Sequence, residues 1–172
     1  MVINRVTDMM LGLPELILTL AIVGMLGPSQ FNLIVAMSVT GWAGLAKLAR
    51  AYTLKSRTRA DVLAARMAGV SGIRIAVSHV LPGAVSLVLV AATLRLGSTV
   101  LALAGLSFLG LGAQPPIAEW GSMIADSRQS LASAPFLILG PTIGLTMTVL
   151  MATLLSDALR DVTDIQRQGV HA

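Results

Sequence analysis

Residues able to do chemistry are few in this sequence, and they are widely scattered. The 172-residue chain holds two histidines, His79 and His171, and no cysteine. It therefore lacks a thiol nucleophile, a disulfide framework and any Cys-based metal site, and its histidines lie too far apart for a local metal motif. A membrane serine protease would need Ser and His at paired depth, and a metalloprotease would need H-E-x-x-H; neither constellation occurs, nor does the G-x-x-x-x-G-K-S/T phosphate loop. No catalytic residue, metal site or bound cofactor is expected. The charge that stands out is Arg95, alone between Arg74 and Glu119 in an apolar stretch. In a span drawn over 81–109 it lies about 21 Å from either end, a distance over which snorkelling is hard, although a register that lets it snorkel to one interface is one alternative. A charge at the bilayer centre costs roughly 2.5 to 3.5 kcal/mol, so Arg95 is expected to line an aqueous pathway and act there electrostatically. An acid partner is the other alternative, but Glu15 and Asp157 both read as close to cytoplasmic ends.

The elements that must hold such a residue are membrane helices. The chain is 55% hydrophobic and 12% charged, with mean hydropathy +0.84 and net charge +4, where a soluble domain carries about 25% charged residues. Charge-free gaps separate Glu15 from Lys47, Arg74 from Arg95, Arg95 from Glu119 and Arg128 from Asp157. Each is long enough for a roughly 30 Å hydrocarbon core. The expected architecture is an all-α, multi-pass bundle of four spans, over 10–27 (with Pro14 near its start), 31–52, 81–109 and 135–155. Ten of the twelve basic residues flank these spans on one side, which the positive-inside rule makes cytoplasmic, with both chain ends there. Trp120, in the opposite 110–134 segment, suits the headgroup level. Asp157, Arg160, Asp161 and Asp164, at helical spacing, read as a solvated helix end.

Between the second and third spans lies a segment richer in helix punctuation than a plain connection needs. Thr58 is placed to cap a helix with Asp61 at its third position. Residues 59–68 are strong helix formers, and Gly69 can end them in a left-handed cap. Ser71 can start a second short helix that stops before Leu81-Pro82. On the residues alone, 56–80 is either an amphipathic interfacial loop or a docking element for a cytosolic partner.

The stretch DVLAARMAGVSGIRIAVSHVLPG resembles the coupling loop of binding-protein-dependent ABC importer permeases, matching at Ala64, Ala65, Gly69, Leu81 and Pro82. Downstream, LSFLGLGAQPPIAEWGSMIADSRQ resembles the signature of the dipeptide, oligopeptide and nickel branch, with Ser107 to Gly112, Gln114, Pro115, Pro116 and Glu119 to Gly121 fitting. RVTDMMLGLP, the 42–50 run WAGLAKLAR and the 156–161 run SDALRD add to a likeness covering roughly 5–164. Leu63 and Leu103 stand where the family has glutamates. The family's permeases also have at least two more membrane helices upstream, so the chain looks like the C-terminal part, truncated or begun at an internal Met.

The resemblance implies a type-1 (MetI-like) transmembrane domain over 1–172 with a cytoplasmic coupling loop at 56–80, in a bacterial plasma membrane. It implies a permease subunit of an ATP-driven importer for di- or oligopeptides; a nickel importer or an inactive remnant are the alternatives, and a membrane hydrolase is disfavoured. Partners would be a second homologous permease, two cytosolic ATPases that do the hydrolysis, an extracytoplasmic binding protein and the lipid bilayer; no nucleic acid is expected. In that reading Ala64, Ala65, Arg66, Gly69, Arg74, Leu81 and Pro82 couple to the ATPase, Arg95 lines the pathway, and Gln114, Glu119 and Trp120 form the outward face.

Overall fold

The computed structural model describes the backbone of residues 2–168 and the side chains of 3–160. Nine α-helices follow one another among these residues, with no strand. In order they are α1 (Val2–Leu11), α2 (Glu15–Leu26), α3 (Gln30–Ser56), α4 (Ala60–Met67), α5 (Gly72–Ile75), α6 (Leu81–Leu94), α7 (Leu96–Phe108), α8 (Trp120–Ser127) and α9 (Leu139–Gln168). Three stretches are long and apolar enough to cross a membrane: Gln30–Ser56, Gly72–Leu94 and Pro135–Arg160. A fourth arises if Ile3–Leu11 and Glu15–Leu26 form one broken span.

That broken element corrects the expected 10–27 helix. Its two halves meet at 98°, across Gly12, Leu13 and Pro14. Proline lacks an N–H, and it pushes the residue before it out of the helical region, so α1 ends and α2 restarts after Pro14. Asp8 on α1 then reaches Lys47 on α3 at 3.2 Å. The cost of the corner is that α2, at about 18 Å, is too short to cross a bilayer alone.

Nor does the second short helix stop before Leu81-Pro82. α5 runs through a π-helical turn over Ala76–Val80 directly into α6. Pro82 cannot donate to the carbonyl one turn back, and a π-turn is one way a helix absorbs such an interruption. The membrane-length stretch therefore begins at Gly72, inside the segment assigned to the loop, and ends at Leu94. Arg95 sits at the junction of α6 and α7 as the C-cap of one and the N-cap of the other. The expected 81–109 span is accordingly two helices joined at its charge.

α2 packs on α3, α3 and α9 both pack on α6, and α7 packs on α8 and α9. A small core of Val23, Leu33, Ala36 and Leu106 forms where α2, α3 and α7 meet, with Leu103 and Leu111 packed against it. Leu103, at a position where the resembled family has glutamate, thus lies in an apolar cluster. Polar side chains bond within the bundle as well: the hydroxyls of Thr19 and Thr40 lie 2.9 Å apart between α2 and α3, and Ser156 of α9 donates to the Thr93 carbonyl. Within the Pro135–Arg160 stretch, 6% of the most apolar segment is buried inside the chain. The rest is exposed apolar surface of the kind that suits lipid, including Leu150, Met151 and Leu154.

Candidate functional site

The 60–80 corner is built from local hydrogen bonds. After α4 the chain turns at Gly69, whose φ of 76° suits glycine and strains other residues. Gly69 N–H donates to the Arg66 carbonyl at 3.1 Å, and Val70 N–H donates to the Ala65 carbonyl at 3.1 Å. These are the paired bonds of a Schellman cap, as the placement of Gly69 predicts. The N-terminal caps differ from expectation. Thr58 Oγ1 donates backwards to the Lys55 carbonyl at 3.0 Å, and Asp61 meets Arg59 at 2.9 Å, so no capping box forms. Ser71 makes no side-chain cap either. Both hydroxyl residues carry the right chemistry, and in Thr58 the local back-bond competes with capping.

Arg59 also donates to the Tyr52 hydroxyl at 3.2 Å. The Tyr52 ring in turn lies so close to α6 that a side chain at Gly83 would overlap it, which ties the corner to the bundle. Of the expected coupling residues, Ala64, Arg66, Gly69, Arg74, Leu81 and Pro82 are exposed and Ala65 is half-buried. Leu63, the departure from the family pattern, is exposed as well. More exposed are two residues the sequence did not single out, Met67 at 89% and Ile73 at 81%. They flank the glycine corner, and their apolar character at this position was the available signal.

At the other end, Leu109 to Gln114 form a second glycine corner followed by Pro115-Pro116, joined by a cis peptide. Gln114 Nε2 donates to the Gly110 and Gly112 carbonyls, both at 3.1 Å. Glu119 accepts from Ser122 N–H at 3.1 Å as the N-cap of α8, and the Trp120 ring packs against Gly144 of α9. Gly121 backs onto the Ala104 carbonyl with no room for a Cβ. The residues expected to form an outward face therefore also hold their own segment together. Exposed portions remain around them, lining two open clefts of about 330 and 540 Å³ that share Gln114, Pro115, Pro116 and Ile117. Arg128 stacks over the Phe108 ring at 5.4 Å beside the first of these.

Arg95 has the acid partner that the sequence reading disfavoured. Its Nη2 donates to Glu15 Oε2 at 2.6 Å and its Nη1 to the Gly41 carbonyl at 3.0 Å. The elbow at Pro14 carries Glu15, the first residue of α2, to Gly41. That carbonyl lies about 17 Å along α3 from Gln30 and about 22 Å from Ser56, so Glu15 sits at mid-helix depth and not near an end. Gly41 and Gly44 leave ordinary van der Waals room beside Glu15 Oε1 and Arg95 Nη1 respectively. A cleft of about 240 Å³ opens at the pair, so an ion pair and a cavity coexist. Asp157, the other candidate acid, is exposed on α9; the side chains of Asp161 and Asp164 lie outside the described residues. Among the described residues, no group of three or more His, Cys, Asp or Glu is arranged to hold a metal ion.

A helical bundle with apolar outer faces, a charged pair against the middle of α3 and a short helical corner at one end is the form of a polytopic membrane transport component. Residues 1–165 match the family described as binding-protein-dependent transport system inner membrane component, and the chain belongs to that family. It is 40% identical over 167 residues to the glutathione transport system permease protein GsiD of Salmonella typhimurium, covering 97% of this chain and 55% of that protein. With the dipeptide transport system permease protein DppC of Alkalihalophilus pseudofirmus it shares 39% identity over 164 residues, 95% of this chain and 54% of the relative. The GsiD of Escherichia coli O6:K15:H31 is 38% identical over 167 residues. The chain thus spans about half the length of the curated relatives it matches.

Proposed function

We propose that this chain forms part of the translocation pathway of an ATP-driven importer for short peptides, as a permease subunit in a bacterial plasma membrane. The observation that carries this reading is the 60–80 corner: two short helices at a glycine cap, at one end of a bundle belonging to an importer family, with Met67 and Ile73 exposed at its tip. An apolar tip flanked by Arg66 and Arg74 suits a groove on a cytosolic ATPase better than bulk water. The ten basic residues on that side support a cytoplasmic position for it. In this arrangement hydrolysis belongs to the separate ATPases, which move the corner. Because α5, the π-turn and α6 are continuous, a push on the corner passes along one helix axis to Arg95 at its far end. The opposite clefts face a substrate-binding protein, and the uncovered apolar faces meet lipid and a second permease. The substrate class follows the named relatives, which carry glutathione and dipeptide.

Gly69→Val in a complete importer tests the corner. A β-branched residue in the left-handed region costs about 1–2 kcal/mol, enough to tilt α4 against α5 without unfolding the bundle. The expected result is continued ATP hydrolysis with peptide uptake cut several-fold; equal loss of both, or of neither, would contradict the coupling role.

A further inference from the structure

The Glu15–Arg95 pair lies open at a cleft and is not covered over by the helices that form it. Of the five N–H donors of the guanidinium, one goes to Glu15 and one to Gly41; among the described residues the other three have no partner, nor does Glu15 Oε1. The side chains are 37% and 48% exposed. Half-exposed charges in a bundle of apolar helices cost several kcal/mol if they face hydrocarbon, so this surface is suited to water or another polar surface. Thr19 from α2 and Ser98 and Thr99 from α7 line the cleft together with the pair, beside Leu16, Met37 and Ala102, so it combines polar groups with a mainly apolar exposed wall. The charged pair and the hydroxyls set this cleft apart from the exposed face of α9 that carries Leu150, Met151 and Leu154.

We propose that this cleft is a reading station for the charged termini of a short peptide in transit, Arg95 taking the C-terminal carboxylate and Glu15 the N-terminal ammonium. It rests on the reading of the chain as a peptide permease and deepens it by naming the substrate feature recognised. A planar carboxylate is the natural partner of a guanidinium fork with free donors. The exchange is charge-balanced throughout: the ligand's carboxylate replaces Glu15 on Arg95 while its ammonium replaces Arg95 on Glu15, so no charge is left buried and unpaired. A ligand lacking either charge cannot open the pair on those terms. At about 240 Å³ the cleft is smaller than a drug-sized site and suits a dipeptide or the end of a longer peptide. The Ser98 and Thr99 hydroxyls supply neutral hydrogen-bonding groups along its wall.

The test is uptake by the complete importer in proteoliposomes, using labelled dialanine, its C-terminal amide and its N-acetyl form. One binding protein and one pair of ATPases serve every variant, so their preferences cancel when variant and parent ratios are compared. Arg95→Gln is expected to lower the acid-to-amide uptake ratio about tenfold, the size of one charge-assisted contact, and Glu15→Gln to lower the free-to-acetylated ratio similarly. The double exchange Glu15→Arg with Arg95→Glu keeps an ion pair for folding but moves the cation to α2, so it also serves if Arg95→Gln fails to assemble. It is expected to alter the acid-to-amide ratio. Parental ratios in Arg95→Gln, or parental uptake and ratios in the double exchange, would show a purely structural pair and overturn the proposal. A parent importer that takes up none of the three compounds would instead remove the peptide-permease reading, and the station with it.

Discussion

Two glycine corners in this chain are built alike and end in opposite surroundings. Gly69 and Gly110 both have positive φ, 76° and 82°, and each closes a helix with the same pair of backbone bonds: Gly110 N–H to the Ser107 carbonyl at 2.9 Å and Leu111 N–H to the Leu106 carbonyl at 3.1 Å. After Gly110 the chain turns inward. Leu111 packs on the core beside Leu106, and Gly112 and Ala113 are buried. After Gly69 it turns outward, with Ile73 almost wholly exposed. One local motif thus serves a folded-in loop at one end and a presented surface at the other. Residues of a sequence signature pack inward at the Gly110 corner and stay exposed at the Gly69 corner.

That contrast predicts where substitutions will register, the largest effect first. Gly121→Val, next to the inward corner, sets a side chain against the Ala104 backbone carbonyl, which only a shift of α7 or α8 can relieve. A loss of about 3 kcal/mol, at the upper end for overpacking, should lower the thermal midpoint of the purified complex and its yield. Gly110→Val strains the cap by about 1–2 kcal/mol in open space and should lower the same midpoint, where Gly69→Val, with the same local strain, should affect coupling more than stability. If both cap variants behave alike, the distinction between the corners fails. Gly83→Ala meets only the far end of the Tyr52 ring, which can swing aside, so the midpoint should fall by the equivalent of about 1 kcal/mol or less as the Arg59–Tyr52 bond is lost.

A smaller effect is expected from pH. Desolvation pushes the Asp61 carboxyl up, but hydrogen bonds from Arg59 and from the Val62 N–H, with the Arg59 charge, hold it below its usual value. A carboxylate depressed on folding stabilises above its unfolded pKa of about 3.9 and loses that contribution as pH falls through the folded value. The Arg59–Asp61 pair should therefore be indifferent to pH from neutrality down to about 4 and weaken only below it. Titrating Asp61 by its side-chain carbonyl signal, with Arg59→Gln as reference, checks the sign: removal of Arg59 should raise the midpoint.

The sequence was most legible where one residue type admits one conformation. Gly69 after a run of helix formers forecasts the cap because few other residues accept that φ, and the charge-free stretches forecast apolar helices. The elbow was missed although Gly12 and Pro14 stood in view, since the apolar run continues across them and conceals a 98° turn. The misplaced depth of Glu15 follows from that one error, and with it the overlooked ion pair to Arg95, 80 residues away. The π-turn over Ala76–Val80 has no residue signature; Pro82 was read as a boundary where the helix passes through. Glu119 and Trp120 read as surface because they are polar or amphipathic, while their capping and packing depend on Ser122 and Gly144, partners that the outward-face reading did not consider.

The central claim, that the outward corner seats a cytosolic ATPase, is tested most directly by single cysteines at Met67 and Ile73. These 172 residues have no cysteine, so each introduced thiol is the only one they contribute, and the cysteine-free parent importer subunit gives the background. In intact cells with the whole importer expressed, these sites should resist a membrane-impermeant thiol reagent, and in inside-out vesicles they should crosslink to the ATPase subunit. Labelling from the cell exterior, or free labelling in inside-out vesicles with the ATPase bound and no crosslink to it, would contradict the account.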